Sequence, residues 1–260
     1  MPGEEGKPNQ LIKSVDRALN IIERLVSSRS GMKITELSDS LGLHKSTVHR
    51  FLDTLSYRGY VEQDPETRTY KIGLKFFEIG SKVLNNLDLR KQVRPYLRDL
   101  RQETGETVHL GVLDRGMVVY IDKEESEETI RMYSRIGKRV FTHCTSLGKV
   151  LLAFSAPEIM ERVVEKEGLP GLTKNTITDI EELRKHLQLV KTAGYAIDNE
   201  EHQEGIRCIG GPIFDYRGEA VAAFSVAGPT MRITEKRVEK LSSLIVSYSE
   251  KISASLGFNS

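Results

Sequence analysis

The chain has 260 residues, of which 38% are hydrophobic and 29% charged, and its formal net charge is +1. These values are typical of a globular protein with one or two domains. The net charge near zero excludes a protein that binds nucleic acid through an overall strongly basic surface, so any DNA contact must come from locally clustered charge. No apolar run is long enough to cross a bilayer, and no apolar signal core follows Met1, so no membrane partner is expected. Two distant cysteines, Cys144 and Cys208, make no disulfide framework, which favours a reducing cytoplasm.

The amino-terminal pattern predicts two helices after a short tail. Residues 1–13 are polar and rich in Gly and Pro, so we expect a disordered tail. Ser14 is expected to cap a helix that runs to about Ser28, and Thr35 to cap a shorter second helix that Gly42 ends in a left-handed turn. The apolar stripe of the first helix, expected to face a core, consists of Val15, Ala18, Leu19, Ile22, Leu25 and Val26.

A third helix follows Gly42, and its two faces differ. One face is apolar and carries Val48, Phe51, Leu52 and Leu55, whereas the other carries Lys45, Ser46, His49, Arg50 and Asp53. Alone, this pattern fits any solvated amphipathic helix. After a short helix and a tight turn, it predicts the recognition helix of a helix-turn-helix, whose first turns meet base edges and phosphates.

A hairpin and another helix complete the amino-terminal third. Two β-prone runs, 60–63 and 69–72, flank an Asp-Pro turn, which predicts a wing with Arg68 near its tip. Gly73 interrupts the hairpin, and residues 74–86 are amphipathic. By pattern alone they could form a helix that packs on its own domain.

Three motifs in this region resemble the isocitrate-lyase-regulator (IclR) family of bacterial transcription factors. They are Ser14-Val15-Asp16-Arg17-Ala18-Leu19, Lys45-Ser46-Thr47-Val48-His49-Arg50 and Gly59-Tyr60-Val61, and the likeness continues to about Phe258. The resemblance implies a winged helix-turn-helix over 14–73 and a linker helix over 74–87 that helps to pair two copies. It also implies a GAF-like effector domain over 88–260. The residues implied in DNA binding are Lys45, Ser46, Thr47, His49 and Arg50, with Arg68 and Lys71 on the backbone.

Residues after 87 mix predicted helices and strands, so the fold class is α+β, with an antiparallel sheet flanked by helices. Thr145 is expected to start a helix, Thr234 to cap the last one, and 130–133 to form an edge or third strand. The other predicted helices are 88–103, 157–167 and 180–193, and the strands are 107–113, 117–121, 195–198, 208–214 and 219–227.

Two stretches could bind a small molecule. A helix that starts near Thr145 or Ser146, with the small Gly148, would offer free N–H groups to a carboxylate, although most helix starts bind nothing. Asp198 could accept hydrogen bonds from a hydroxylated ligand. Cys208 could donate weakly or be only a small buried hydrophobe.

The resemblance implies a wider effector pocket formed by Met132, Ser146, Leu147, Asp198, Ile206, Cys208, Ser225 and Ala227. Effectors in the family are small carboxylates, and a keto acid or sugar acid is favoured here, as in the ketodeoxygluconate-repressor-like branch. The expected protein is a repressor on a palindromic operator, as a homodimer or dimer of dimers. An activator of a catabolic operon is the alternative.

An enzyme is the main rival class, because His109, His143, Cys144, His202 and Cys208 could be imagined as a nucleophile with its base or as a metal site. No zinc-type spacing, nucleophile elbow or phosphate-binding glycine loop supports this. We therefore expect no catalysis, metal or cofactor. A ligand-binding module that only scaffolds a partner protein is a second rival, and the wing with its cationic tip argues against it.

Overall fold

The computed structural model describes residues 11–28, 30–86, 88–130 and 134–258, without the side chains of 81–88. The chain divides into two compact units between residues 86 and 87. Most of the predicted disordered tail, residues 1–10, lies outside the described residues. No helix in the described ranges is long and apolar enough to cross a membrane.

The first unit is a winged helix-turn-helix, as predicted. Its core contains Ile21, Leu25, Leu37, Val48, Leu52, Val61 and Tyr70. Its elements are α1 (Lys13–Ser27), α2 (Ile34–Leu41), α3 (Lys45–Tyr57), β1 (Val61–Gln63), β2 (Tyr70–Ile72) and α4 (Lys75–Asn86).

Two predicted helix caps in this unit are wrong. Helix α1 begins two residues earlier than predicted, with Ile12 at the cap position and no side-chain cap, so Ser14 lies inside the first turn. Helix α2 begins after Lys33, whose backbone N–H donates to Glu36 Oε2 at 2.6 Å, and Thr35 lies inside its first turn. The carboxylate at the third helical position thus satisfies the backbone N–H of the cap residue, and the hydroxyl of Thr35 is not the cap.

The apolar residues of α1 do not form one core-facing stripe, so that prediction was wrong in part. Ile21 and Leu25 are buried, whereas Val15 and Leu19 are each 53% exposed and Val26 is 66% exposed. The apolar arc is wider than the small core can cover. Its uncovered part, Ile12, Val15, Leu19 and Val26, is called the α1 apolar face below.

Two turns in this unit have specific backbone conformations, one after α2 and one in the wing. Gly42 ends α2 in the left-handed conformation (φ 63°), as expected. In the wing, Asp64 Oδ1 accepts hydrogen bonds from the backbone N–H groups of Glu66 and Thr67, and Arg68 adopts a positive φ of 57°. The wing therefore turns tightly and carries Arg68 at its end.

The second unit is an antiparallel sheet with helices on both faces, which confirms the predicted α+β class. The strand order is β5-β4-β3-β8-β7-β6. The elements are α5 (Asp88–Thr104), β3 (Thr107–Asp114), β4 (Met117–Glu124), β5 (Arg139–Phe141), α6 (Ser146–Ala153), α7 (Pro157–Glu167), α8 (Ile180–Ala193), β6 (Ala196–Asn199), β7 (Ile206–Phe214), β8 (Ala220–Pro229) and α9 (Glu235–Ser255).

Two expectations in this unit need correction. Ile130 lies in a bend and not in a strand, and the rest of the predicted 130–133 strand falls outside the described residues; the edge strand is β5. Thr234 precedes α9 as predicted, but its side chain accepts no cap hydrogen bond.

The two faces of the sheet bury different helices. Phe224 and Val226 face α5 and α9, whereas Ala223 faces α6, α7 and α8. Gly210 lets α6 approach closely, because a Cβ there would lie 3.2 Å from Ser146 Oγ. The amino-terminal end of α6 is therefore held directly against the sheet.

Candidate nucleic-acid interface and effector site

The polar side chains predicted to read DNA lie on the outer face of α3. Val48 and Leu52 are fully buried, and this turns Lys45, Ser46, His49 and Arg50 into solvent. Thr47 is half-buried. His49 Nδ1 lies 2.8 Å from Asp53 Oδ2, one turn along the helix. The exposed groups therefore begin at the first residue of α3, the end that helix-turn-helix proteins direct at base edges.

The wing adds two exposed cations. Arg68 is exposed at the tip, and Lys71 Nζ lies 3.6 Å from Asp64 Oδ2. Backbone hydrogen bonds from Thr67 and Glu66 lower the pKa of Asp64. Lys71 is partly neutralised by this carboxylate, whereas no described residue forms an ion pair with Arg68.

A small cavity of about 10 Å³ lies in the second unit, between the sheet and the first turn of α6. Such a volume accommodates about one water molecule. Its described lining is His109, Tyr120, Thr145, Ser146, Leu147, Asp198, His202, Cys208 and Ser225. Five of the residues predicted for an effector pocket are thus brought together, namely Ser146, Leu147, Asp198, Cys208 and Ser225.

Strand register explains this clustering. Asp198 on β6 pairs with Cys208 on β7, and His109 on β3 pairs with Ser225 on β8. Because alternate residues of a strand share one face, these side chains project towards α6 from four strands. The cavity is therefore built from residues that are distant in sequence.

The other predicted pocket residues do not line the cavity. Ala227 is buried beside Cys208 with the half-buried Ile206 against them, in a small apolar cluster. Gly148 serves close packing, since a Cβ there would lie 2.2 Å from Thr142 Cα, and its N–H donates to Thr145 Oγ1 at 3.2 Å. Its amide is therefore used by the helix cap. Met132 lies outside the described residues.

Asp198 is the carboxylic acid of the described cavity lining. Its Oδ1 accepts hydrogen bonds from the backbone N–H groups of Glu201 (2.8 Å) and His202 (3.3 Å). Burial, and then the negative charge of Glu201, raise the pKa of Asp198 to about 7, although Lys149 opposes the rise. Lys149 Nζ lies 2.5 Å from both Glu201 Oε1 and the carbonyl oxygen of Ile197. The ammonium of Lys149 is thus paired directly with Glu201 and acts on Asp198 only through its charge.

The remaining polar lining is neutral. His109 Nε2 lies 2.7 Å from Ser134 Oγ, its ring stacks on Tyr120, and burial lowers the pKa of His109 to about 3. Burial raises the pKa of the Tyr120 hydroxyl and of the Cys208 thiol. Cys144 Sγ lies 3.7 Å from His202 Nδ1, and burial raises the pKa of Cys144 to about 12. These groups can hydrogen-bond a ligand, but neither cysteine is activated as a thiolate nucleophile.

Sequence reasoning missed part of this lining. Tyr120 was not singled out, and His109 and His202 were considered only for an enzyme. Alternation along β3 places His109 on the Ser225 face, so register could have found it. In the described part of the chain, no three His, Cys, Asp or Glu side chains are grouped to hold a metal ion.

A winged helix-turn-helix whose recognition helix carries exposed hydroxyl and cationic side chains defines a DNA-binding regulator. Residues 14–65 match the IclR helix-turn-helix domain, and residues 81–254 match the family described as bacterial transcriptional regulator IclR C-terminal. The chain therefore belongs to the IclR family of transcriptional regulators, whose members are regulators and not enzymes.

Similar proteins extend over nearly the whole chain. The HTH-type transcriptional regulator KdgR of Escherichia coli (strain K12) is 40% identical over 95% of this chain and 94% of its own length. The transcriptional repressor IclR of the same organism is 33% identical over 95% and 90%. A crystal structure of an IclR homologue from Microbacterium hydrocarbonoxydans, complexed with 4-hydroxybenzoate, is 25% identical with a TM-score of 0.81, covering 94% of this chain and 98% of that one.

Proposed function

We propose that this regulator is a repressor that binds a palindromic operator as a homodimer or dimer of dimers, in the cytoplasm, and responds to a small carboxylate such as a keto acid or sugar acid. The observation that carries the proposal is the outer face of α3, where hydroxyl and cationic groups are exposed to solvent, together with the exposed Arg68 at the tip of the wing. Similarity to a protein named as a transcriptional repressor supports the sign of regulation, and the IclR homologue complexed with 4-hydroxybenzoate supports a small carboxylate as effector.

DNA reading is assigned to the first turns of α3. Lys45, Ser46, His49 and Arg50 contact base edges and nearby phosphates, with Thr47 beside them, and Arg68 and Lys71 hold the backbone from the wing. Arg50→Ala is expected to weaken operator binding about tenfold or more. Arg58→Ala removes the same charge at the other end of α3 and is the matched control.

Pairing of two copies is assigned in part to the α1 apolar face. A palindromic site needs two recognition helices about one DNA turn apart. Leu74, immediately before α4, and Phe77 within α4 are also about three-quarters exposed, at 77% and 76%. Leu19→Glu is expected to lower the mass measured by light scattering, whereas Asn20→Glu, with the same charge change on a polar side of α1, is not.

The effector site is assigned to the cavity between α6 and the sheet. Ser146, Asp198 and Ser225 hydrogen-bond the effector, with Leu147 and Cys208 in contact. A keto acid or sugar acid is larger than the cavity of about 10 Å³, so its lining moves apart on binding. If the effector binds the opened arrangement of the lining more tightly than the closed one, it shifts the population of protein that can bind DNA.

Gel-shift titrations with fragments upstream of the protein's own and neighbouring operons test the DNA function. Affinity is expected to fall steeply as salt rises. If no fragment is bound even at low salt, the proposal fails. Transcription in vitro from a bound promoter is expected to decrease on adding the protein; an increase would assign an activator.

A thermal-shift screen of keto acids, sugar acids and aromatic acids on the full chain tests the effector site. Asp198→Ala is expected to remove the shift caused by the effector. Glu165→Ala, an exposed change on α7, is the control. An Asp198→Ala protein that keeps the full ligand response would show that the site is elsewhere.

A further inference from the structure

A cleft of about 460 Å³ lies between α1 and α3 in the first unit. Its described lining is two arginines, three hydroxyl side chains and one aromatic ring: Arg17, Arg50, Ser14, Thr47, Thr54 and Phe51. No carboxylate contributes to this lining. Guanidinium groups with nearby hydroxyl donors, free of acidic neighbours, are complementary to the oxygens of a phosphate group.

The two arginines of this cleft are not neutralised within the described residues. Arg17 and Arg50 are exposed, and no described residue forms an ion pair or hydrogen bond with either guanidinium. By contrast, the exposed Arg217 of the second unit is held by Asp215 at 2.9 Å. Thr54 Oγ1 donates to the carbonyl oxygen of Arg50, so the remaining donors are the guanidinium groups and the hydroxyls of Ser14 and Thr47.

Position favours DNA as the source of the phosphate. Arg50 belongs both to the cleft and to the outer face of α3, so the cleft continues the surface assigned to the operator. When a recognition helix lies in the major groove, the backbone strands run along its two sides and supporting helices meet them. The α1 side of α3 is one of these sides.

The cleft also remains open when two copies pair through the α1 apolar face. Arg17 follows Val15 by two residues and precedes Leu19 by two. At about 100° per residue it therefore lies roughly 160–200° around the helix from both of them. A partner seated on the apolar face does not cover Arg17.

We propose that the α1–α3 cleft holds a backbone phosphate of the operator, with Arg17 as a DNA-contacting residue outside the recognition helix and the wing. This inference rests on the proposed DNA-binding function and adds a contact to it. Because phosphates are common to every sequence, Arg17 contributes affinity and orientation, and base choice stays with α3.

The test compares Arg17→Ala with Arg24→Ala in the full chain. Arg24 is exposed on the same side of α1, two turns away, and does not line the cleft. Fluorescence anisotropy would give Kd for an operator and for an unrelated duplex over a series of salt concentrations. Arg17→Ala is expected to weaken both by a similar factor, about tenfold at low salt. It should reduce the slope of log K against log salt by about 1 per copy. Arg24→Ala is expected to change both much less.

Several outcomes would overturn the inference. If Arg17→Ala and Arg24→Ala weaken DNA binding equally, the proposed phosphate contact in the cleft is refuted. If Arg17→Ala weakens binding to the operator but not to the unrelated duplex, Arg17 contacts bases and not a phosphate. If inorganic phosphate at matched ionic strength stabilises the parent but not the Arg17→Ala protein, and both bind DNA equally, the cleft is a free-anion site. Arg17→Lys should recover part of the affinity, and thermal unfolding checks that each variant is folded.

This test separates failure of the inference from failure of the proposed function. A parent protein that binds no DNA would refute the function itself. A parent that binds DNA, with an Arg17→Ala protein that matches Arg24→Ala, would refute only the cleft contact.

Discussion

Replacing Lys149 by Met should destabilise the second unit strongly. The Lys149 side chain is fully buried in α6, and its ammonium ties that helix to Glu201 and to the carbonyl oxygen of Ile197 on β6. Met occupies much of the same volume, so the change removes charge and hydrogen bonds more than packing. Glu201, which is only 5% exposed, would keep its carboxylate without a counter-ion.

Breaking a buried ion pair from one side costs about 3–5 kcal/mol. The carbonyl oxygen of Ile197 would also lose its donor, but this cost overlaps with the first because one ammonium serves both groups. We therefore expect the free energy of unfolding to fall by about 3–5 kcal/mol at neutral pH.

A double-mutant cycle separates the pair from general damage. Glu201→Gln alone should also destabilise, because it leaves a buried ammonium. The free energy of unfolding lost in the double variant should be smaller than the sum of the two single losses, by roughly 2 kcal/mol or more. Lys166→Met removes an exposed cation paired with Glu167 and should cost under about 1 kcal/mol.

Urea unfolding of the full chain, followed by circular dichroism and tyrosine fluorescence, measures these differences. The transition of the second unit is the one to compare. If Lys149→Met shifts its stability by less than about 1 kcal/mol, or if the cycle is additive, the ion pair does not hold α6 to the sheet as described.

Three further predictions concern α6 and the cavity. Gly148→Ala places a Cβ 2.2 Å from Thr142 Cα and should lower the free energy of unfolding by about 1–3 kcal/mol or more. Gly80→Ala in α4, where the added Cβ meets open space, should instead raise it by about 0.5–1 kcal/mol. Urea midpoints that rank the two variants in the opposite order would contradict this. Thr145→Ala removes the hydroxyl that caps α6 and should lower stability by about 1 kcal/mol in the same assay. Because the folded-state pKa of Asp198 is about 7, against 3.8 as the ordinary value, the native state retains its proton to higher pH. The stability of the parent relative to Asp198→Asn should therefore fall as pH rises from about 4 to 7, by up to ~1.4 kcal/mol per pH unit, and then level off; a difference that rises over this range would refute the shift.

Local chemistry predicted much of the fold. Helix α8 occupies the predicted bounds, because its apolar spacing is helical and Gly194 ends it in the left-handed conformation. The wing follows from an Asp-Pro turn between β-prone runs. Burial was harder to predict, since periodicity gave α1 a single apolar stripe but could not tell that Ile21 enters the core while Leu19 faces solvent.

The candidate site was predictable only in part, for a related reason. Asp198 and Cys208 were singled out from their own side chains, the resemblance added Ser225, and all three line the cavity. His109 and Tyr120 enter the lining through pairing between strands, which a local pattern does not encode. Likewise, Lys149 meets Glu201 across a separation of 52 residues, so no spacing rule points to that pair.

Under the proposed assignment of the effector to this cavity, the charge balance of its lining limits which effectors can bind. Asp198 and Glu201 are both buried, and Lys149 is directly paired with Glu201, so an incoming carboxylate adds negative charge beside an acid that already resists ionisation. Burial of an uncompensated charge is costly, whereas a protonated Asp198 can donate a hydrogen bond to the effector. Hydroxyl groups on a sugar acid offset the cost in another way, because they donate to Asp198 in its charged form. The same lining therefore favours acids that carry their own hydrogen-bond donors over simple apolar carboxylates.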